Sequence, residues 1–228
     1  MGFLTLEQRQ RYGRYESEPT PMQLARYFHL DDTDFDSVLI RRGNHNRLGF
    51  ALQLVSVRFL GTFLENPIDV PLGVIIYVAT QLGISDIECL PRYLERSVTH
   101  WEHQGEIQQL YGYRDFSGQP GHWQLVRWLY GRAWVGSESP SVLFDLVTAR
   151  LVEHKILLPG VTVLERLVAS VRERTAKRLW QILAKIPSKE QRSKLEALLV
   201  PDEKTWYTPL DQLRRSPTRH SGQNRVYG

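Results

Sequence analysis

Apolar positions recur every three to four residues through most of this chain, and that recurrence predicts helix after helix. Residues 46–60 (Asn-Arg-Leu-Gly-Phe-Ala-Leu-Gln-Leu-Val-Ser-Val-Arg-Phe-Leu) are apolar on nearly every side, the pattern of a helix buried at a domain centre. Residues 70–82 form the longest apolar run, about 13 residues interrupted by Pro71, Gly73 and Thr80. A bilayer takes about 20 residues to span, so this run predicts a buried helix in a soluble protein. Leu143, Leu146, Val147, Leu151 and Val152 repeat at helical spacing in a segment ending near Lys155. Leu164, Leu167, Val168, Val171, Ala176, Leu179, Ile182 and Leu183 continue the period beyond Pro159-Gly160, on one long helix. Start signals agree: Thr20-Pro21 is a cap followed by proline at the first helical position, and Pro71, Ser139-Pro140 and Pro159-Gly160 punctuate the chain similarly. No alternating run bounded by hairpin turns stands out. The expected fold class is all-α.

Residues 112–121 (Gly-Tyr-Arg-Asp-Phe-Ser-Gly-Gln-Pro-Gly) are rich in turn formers and predict a linker. It divides an amino-terminal helical lobe, 1–111, from a second lobe, 122–200. From 201 the pattern breaks down, and 201–228 is expected to be a flexible tail.

Each lobe holds a candidate helix-turn-helix. In the first, residues 21–29 form the front helix, 30–32 the turn and 34–42 the rear helix, capped by Asp32 or Thr33. Leu24, Ala25 and Phe28 are expected to pack on Phe35, Val38 and Leu39. An ordinary helical hairpin fits the same pattern. Asp31, Asp32, Asp34 and Asp36 crowd the rear helix's start, where they suit the helix dipole but repel phosphate. The basic run after it is therefore the better contact surface: Arg41, Arg42, His45, Asn46 and Arg47. In the second unit, residues 141–154 and 162–178 are the helices and 155–161 the turn. Thr162 caps the rear helix, whose outer face carries Arg166, Arg172, Arg174, Lys177 and Arg178, with Lys185 beyond. A helix start attracts phosphate, and arginines on the outer face reach backbone or guanine edges. Glu165 and Glu173 interleave, so an intrahelical ion-paired, solvated face is the alternative.

Charge sharpens this. The net charge is +4, but residues 1–160 hold 15 Lys and Arg against 18 Asp and Glu, while 161–228 hold 14 against 7. A basic final third on a near-neutral body suits a polyanion, nucleic acid first. The single cysteine, Cys89, has apolar neighbours and no basic partner nearby in sequence, which reads as inert packing in a reducing compartment. The amino terminus lacks the pattern of a secretory signal. His100 and His103, with Glu102 and Glu106, raise a metal-dependent enzyme as a further reading, but the spacing is not that of a zinc motif and a third ligand is missing. No phosphate-binding glycine loop or nucleophile elbow occurs. Neither a catalytic centre, a metal nor a cofactor is expected.

Several strings resemble a known family. Leu4-Thr-Leu-Glu-Gln-Arg-Gln-Arg-Tyr12, Gln23-Leu-Ala-Arg-Tyr-Phe-His-Leu-Asp31 and Asn46-Arg-Leu-Gly-Phe-Ala-Leu-Gln-Leu54 with Val57-Arg-Phe-Leu-Gly61 are similar to the amino-terminal region of Tn3-family transposases. So are Tyr111-Gly-Tyr-Arg-Asp-Phe116, Ser141-Val-Leu-Phe-Asp-Leu146 and Leu158-Pro-Gly-Val-Thr-Val-Leu-Glu-Arg-Leu-Val168. The resemblance runs from about residue 4 to about 219. It implies binding of double-stranded DNA at the transposon's terminal inverted repeats, with catalysis in a larger carboxy-terminal portion expected to be absent here. Residues 220–228 depart from the family's helical register, which reads as a truncation. The implied setting is the bacterial cytoplasm, at the nucleoid, without membrane contact. A helical interaction module for transposase assembly, with self-association, is the alternative function.

Overall fold

In the computed structural model, which describes residues 2–118, 121–203 and 205–214, helices begin where side chains can satisfy their free N–H groups. Helix α1 (Leu6–Arg11) starts from a reciprocal box between Thr5 and Gln8, and α2 (Pro21–Tyr27) from one between Thr20 and Gln23. Helix α3 (Asp32–Leu39) is capped by Asp31, whose carboxylate accepts the Asp34 N–H at 2.9 Å. The cap is thus neither Asp32 nor Thr33, and the helix starts and ends earlier than the sequence suggests. Next come α4 (Asn44–Leu60), α5 (Leu72–Gln81), a 3-10 helix (Ile87–Leu94) and α6 (Ser97–Tyr111). Then follow α7 (Gly121–Val135), α8 (Pro140–Glu153), α9 (Val161–Leu183), α10 (Lys189–Ala197) and α11 (Pro209–Arg214). The fold is all-α; among the described residues the only extended pairing is an isolated parallel bridge between Arg114 and Ile156.

The chain divides into two compact units, 1–175 and 176–228. The first holds two apolar clusters. Helix α4 is the centre of one, with every residue from Leu48 to Val57 buried, as its pattern predicts. Phe28, Leu30, Val38, Val74, Val78, Leu90, Tyr93 and Ile107 close around it. Gly49 lets the Tyr93 ring lie directly against the α4 backbone. Within the α2–α3 pair, Phe28 and Val38 are buried and Leu24 and Phe35 half-buried, but Ala25 and Leu39 face solvent. Only one face of α5 is covered, through Val74, Val78 and Ala79; Leu72 and Ile76 are exposed.

Two polar anchors sit in this cluster. Asp34 is fully buried, and the Arg58 guanidinium spans both its oxygens at 2.9 and 2.8 Å while also donating to the His29 carbonyl. Tyr93 accepts from Gln53 Nε2 at 2.5 Å, which leaves its own proton for His103 Nδ1 at 2.8 Å. Burial lowers His103 to about 4, reinforced by Arg41 and opposed by Glu106, so the ring is neutral near pH 7. His103 is therefore a core hydrogen-bond partner of the 3-10 helix.

The second cluster joins α7, α8 and α9: Leu125 and Leu129, then Leu143, Phe144, Val147 and Leu151, then Leu164, Val168 and Val171. The amino-terminal segment is tied to it, because buried Glu165 accepts the Leu4 N–H at 3.0 Å and pairs with Arg9. The 112–118 stretch lies inside this first unit, where Arg114 exchanges backbone hydrogen bonds with Lys155 and Leu157 at 2.9 Å each. Positions 119 and 120 lie outside the described residues. Gly61, at φ +76°, ends α4 and accepts the Leu158 N–H.

In the second unit none of the described residues is buried. The apolar stripe that sequence periodicity carries through Ala176, Leu179, Ile182 and Leu183 is exposed here, unlike its counterpart before Thr175. Within residues 201–214 the chain forms a turn, Asp202 N–H to Tyr207 O at 3.0 Å, and then α11, started by Thr208 and Asp211. Residues 215–228, the rest of the expected tail, lie outside the described residues. No helix among the described residues is long and apolar enough to cross a membrane.

Candidate nucleic-acid interface

The first basic run divides once its side chains are placed. Arg41 is turned inward: its guanidinium pairs with Glu106 at 2.6 Å and lies 4.2 Å from the Phe50 ring centroid. Arg47 donates from Nε to the Arg41 carbonyl at 3.0 Å and from Nη2 to that of Leu39 at 3.2 Å, so it closes the end of α3. Asn46 donates to the Arg42 carbonyl at 2.9 Å. Asn46 and Arg47 hold the α3–α4 turn together, while the Arg41 guanidinium is buried against Glu106 and Phe50. Arg42 is exposed and His45 half-exposed beside the open start of α4. Around them, exposed Asp32 and Asp36 keep the α3 surface acidic.

The second candidate is different. Helices α8 and α9 are joined by seven residues, 154–160, longer than the three- to four-residue turn of the compact motif. Lys155 adopts φ +52° there, and the strand-like 156–158 segment is held by Arg114 and Gly61. Helix α9 starts at Val161, with the Gly160 carbonyl accepting from Val163 and Leu164, so Thr162 lies within its first turn rather than at its cap.

With 100° per residue, burial of Leu164, Glu165, Val168, Val171 and Thr175 fixes the opposite face of α9. In the first unit that face carries Thr162, Val163, Arg166, Ala169, Glu173 and Arg174, all exposed. Arg172 falls on the flank and is half-buried. Lys177 and Arg178, in the second unit, are exposed as well. None of these five cations forms an ion pair among the described residues. The intrahelical pairing that could have silenced them fails at Glu165, which faces inward to Arg9. Sequence periodicity locates Glu165 beside the buried stripe, but its partner is 156 residues away and invisible to spacing.

The geometry offers a rigid helix packed on two others, with unpaired guanidinium groups outward and small Ala169 beside half-buried Ser170 between them. Such a surface can lie close to a groove and meet phosphates or base edges. Among the described residues no group of three or more His, Cys, Asp or Glu is placed to hold a metal ion. Cys89 is half-buried, and burial pushes its thiol up.

Residues 3–171 match the family described as a domain of unknown function, DUF4158. The chain is 48% identical over 220 residues to the transposase for transposon gamma-delta of Escherichia coli K12, which covers 96% of this chain and 22% of that protein. It is 32% identical over 196 residues to the transposase for transposon Tn1546 of Enterococcus faecium, covering 86% and 19%. It is 31% identical over 206 residues to the transposase for transposon Tn501 of Pseudomonas aeruginosa, covering 88% and 20%. The chain thus spans about a fifth of the length of the curated relatives it matches.

Proposed function

Since the chain belongs to the DUF4158 family and is the amino-terminal region of a Tn3-family transposase sequence, we propose that it binds double-stranded DNA at the terminal inverted repeats of a transposon. The outward face of α9 is the reading surface. Within the first unit Arg166 and Arg174 contact base edges or phosphates, Thr162 donates near the helix start, and Arg172 holds the backbone; in the second unit, taken by itself, Lys177 and Arg178 are further phosphate contacts. Arg42 and His45 supply a second phosphate contact in the first unit, while Asn46 and Arg47 serve the turn that presents them. The observation that carries this reading is the set of exposed, unpaired arginines on a helix anchored by three-helix packing. The catalytic steps of transposition belong to sequence outside this chain. The protein works in the bacterial cytoplasm, at the nucleoid.

Titration of a labelled terminal-repeat duplex tests the proposal. Affinity should fall steeply between 50 and 200 mM salt, about tenfold or more for several phosphate contacts. It should exceed that for a scrambled duplex by about a hundredfold or more. Equal affinity for both duplexes would contradict sequence-specific binding.

One observation favours a second reading, a helical interaction module that self-associates or docks other parts of a transposase. Leu179, Trp180, Ile186, Leu199 and Val200 of the second unit are all exposed. Salt-insensitive association without DNA would distinguish it.

A further inference from the structure

Helix α7 carries three tryptophans, a tyrosine and two arginines without one acidic residue. Its inner face is accounted for by Leu125 and Leu129. Its outer face is not. Trp123 is 62% exposed and Trp134 38% exposed. The Trp134 ring stacks on Tyr130 at 6.1 Å and 19°, so it stands as a supported platform rather than a loose side chain. Between these two rings Arg127 is exposed, and Trp128 is covered on one side by the Arg150 guanidinium of α8, 4.8 Å from its centroid. Arg127, Trp128, Gly131 and Arg132, with Gln124, line a shallow groove of about 460 Å³. Beyond the helix end, Glu138 pairs with Arg132 at 2.5 Å.

Gly131 keeps the floor of this groove low. It sits inside α7 on the solvent face, where a glycine weakens the helix relative to alanine. A Cβ there would meet nothing within 4 Å, so no internal packing explains its absence. A bare backbone patch on the floor of a groove suits close approach by something external.

We propose that this face of α7 is a separate site for unpaired DNA, in which bases stack on Trp123 and Trp134 and the intervening phosphates meet Arg127. The inference rests on the reading of this chain as a DNA-binding segment but uses a surface distinct from α9. Charge selects the ligand: a face with exposed rings, an exposed arginine and no acidic residue on its helix suits a polyanion with accessible aromatic planes. Bases within a duplex stack on each other and present no free plane, whereas those of a single strand do. Trp134 lies eleven positions after Trp123, about 16 Å along the helix axis, and the spacing puts both rings on one side of the helix.

Fluorescence anisotropy with a 5′-labelled twelve-residue oligothymidylate tests the site, because that strand neither pairs nor folds. The wild-type chain should bind it, and Gly131→Glu, whose Cβ meets nothing within 4 Å and whose carboxylate adds negative charge at the groove, should weaken binding at least tenfold. Trp123→Ala should weaken it about as much, while both variants keep terminal-repeat duplex affinity within twofold. An R166A/R174A variant should retain the oligothymidylate and lose the duplex, so failure of the α9 reading and failure of this one are separately visible. Absence of oligothymidylate binding, indifference to Gly131→Glu, or equal sensitivity of the duplex to Gly131→Glu would overturn the proposal.

Discussion

Replacing Arg58 with alanine is expected to destabilise the first unit by about 3 kcal/mol, the lower end for breaking a buried ion pair. Asp34 has no solvent exposure, and Arg58 supplies both of its charged hydrogen bonds. Without the guanidinium, the carboxylate keeps the Asp31 N–H at 3.1 Å and the Tyr111 hydroxyl, both neutral donors. The Arg58 side chain is 25% exposed, so water can reach part of the vacancy, which sets the estimate at the lower end. In a chain of this size the loss corresponds to a melting temperature about 10 °C lower. Adding Asp34→Asn to Arg58→Ala removes the stranded charge and should recover more than about 1 kcal/mol, since a neutral buried amide costs less than an unpaired carboxylate. Thermal or urea unfolding of the two variants measures this. A single variant within 1 kcal/mol of wild type would show that the pair is not an anchor.

Gly49→Ala should destabilise by about 3 kcal/mol, against the usual benefit of alanine in a helix. An added Cβ would lie 2.4 Å from Tyr93 Cγ and 2.5 Å from each Cδ. The ring cannot retreat cheaply, because Tyr93 is 1% exposed and its hydroxyl is held by Gln53 and His103. Something in the contact between α4 and the 3-10 helix must shift. Gly105→Ala is the matched control: it too is helical, but its Cβ meets nothing within 4 Å, so stability should rise by about 0.5–1 kcal/mol. If denaturant unfolding gives both substitutions the same sign, the close approach of Tyr93 to α4 is wrong.

Periodicity was enough for the parts of the fold in which burial alone decides. Residues 46–60 read as an all-round apolar helix, and α4 is that helix, with Asn44–Leu60 wrapped by its neighbours. The helices of the second candidate unit were legible for the same reason, their boundaries set by Ser139-Pro140 and Pro159-Gly160. Residues 87–94 form a 3-10 helix containing Pro91, held by Tyr93 in the core, an element that a period of three to four residues does not single out. Pairings across the chain were not legible. Arg41 and Arg42 are adjacent and identical in type, yet one is inserted against Phe50 and Glu106 while the other faces solvent. Nothing in local sequence separates them, because the difference is made by α6, more than sixty residues on. Glu165 likewise looks like one more helix-surface acid until Leu4 and Arg9 are placed beside it. The apolar stripe of α9 runs unbroken in the sequence, but periodicity reports an apolar face without saying what covers it; beyond Thr175 the described residues provide no cover.

That the outward face of α9 reads DNA is tested most directly by the affinity of an Arg166→Ala/Arg174→Ala variant for the terminal-repeat duplex, measured beside its affinity for a scrambled one. Both side chains are exposed and outside every ion pair among the described residues, so the fold should be unaffected. The expected loss on the repeat is about a hundredfold, from two contacts at roughly 1–3 kcal/mol each, with a much smaller loss on scrambled DNA. An unchanged ratio between the two duplexes would contradict it.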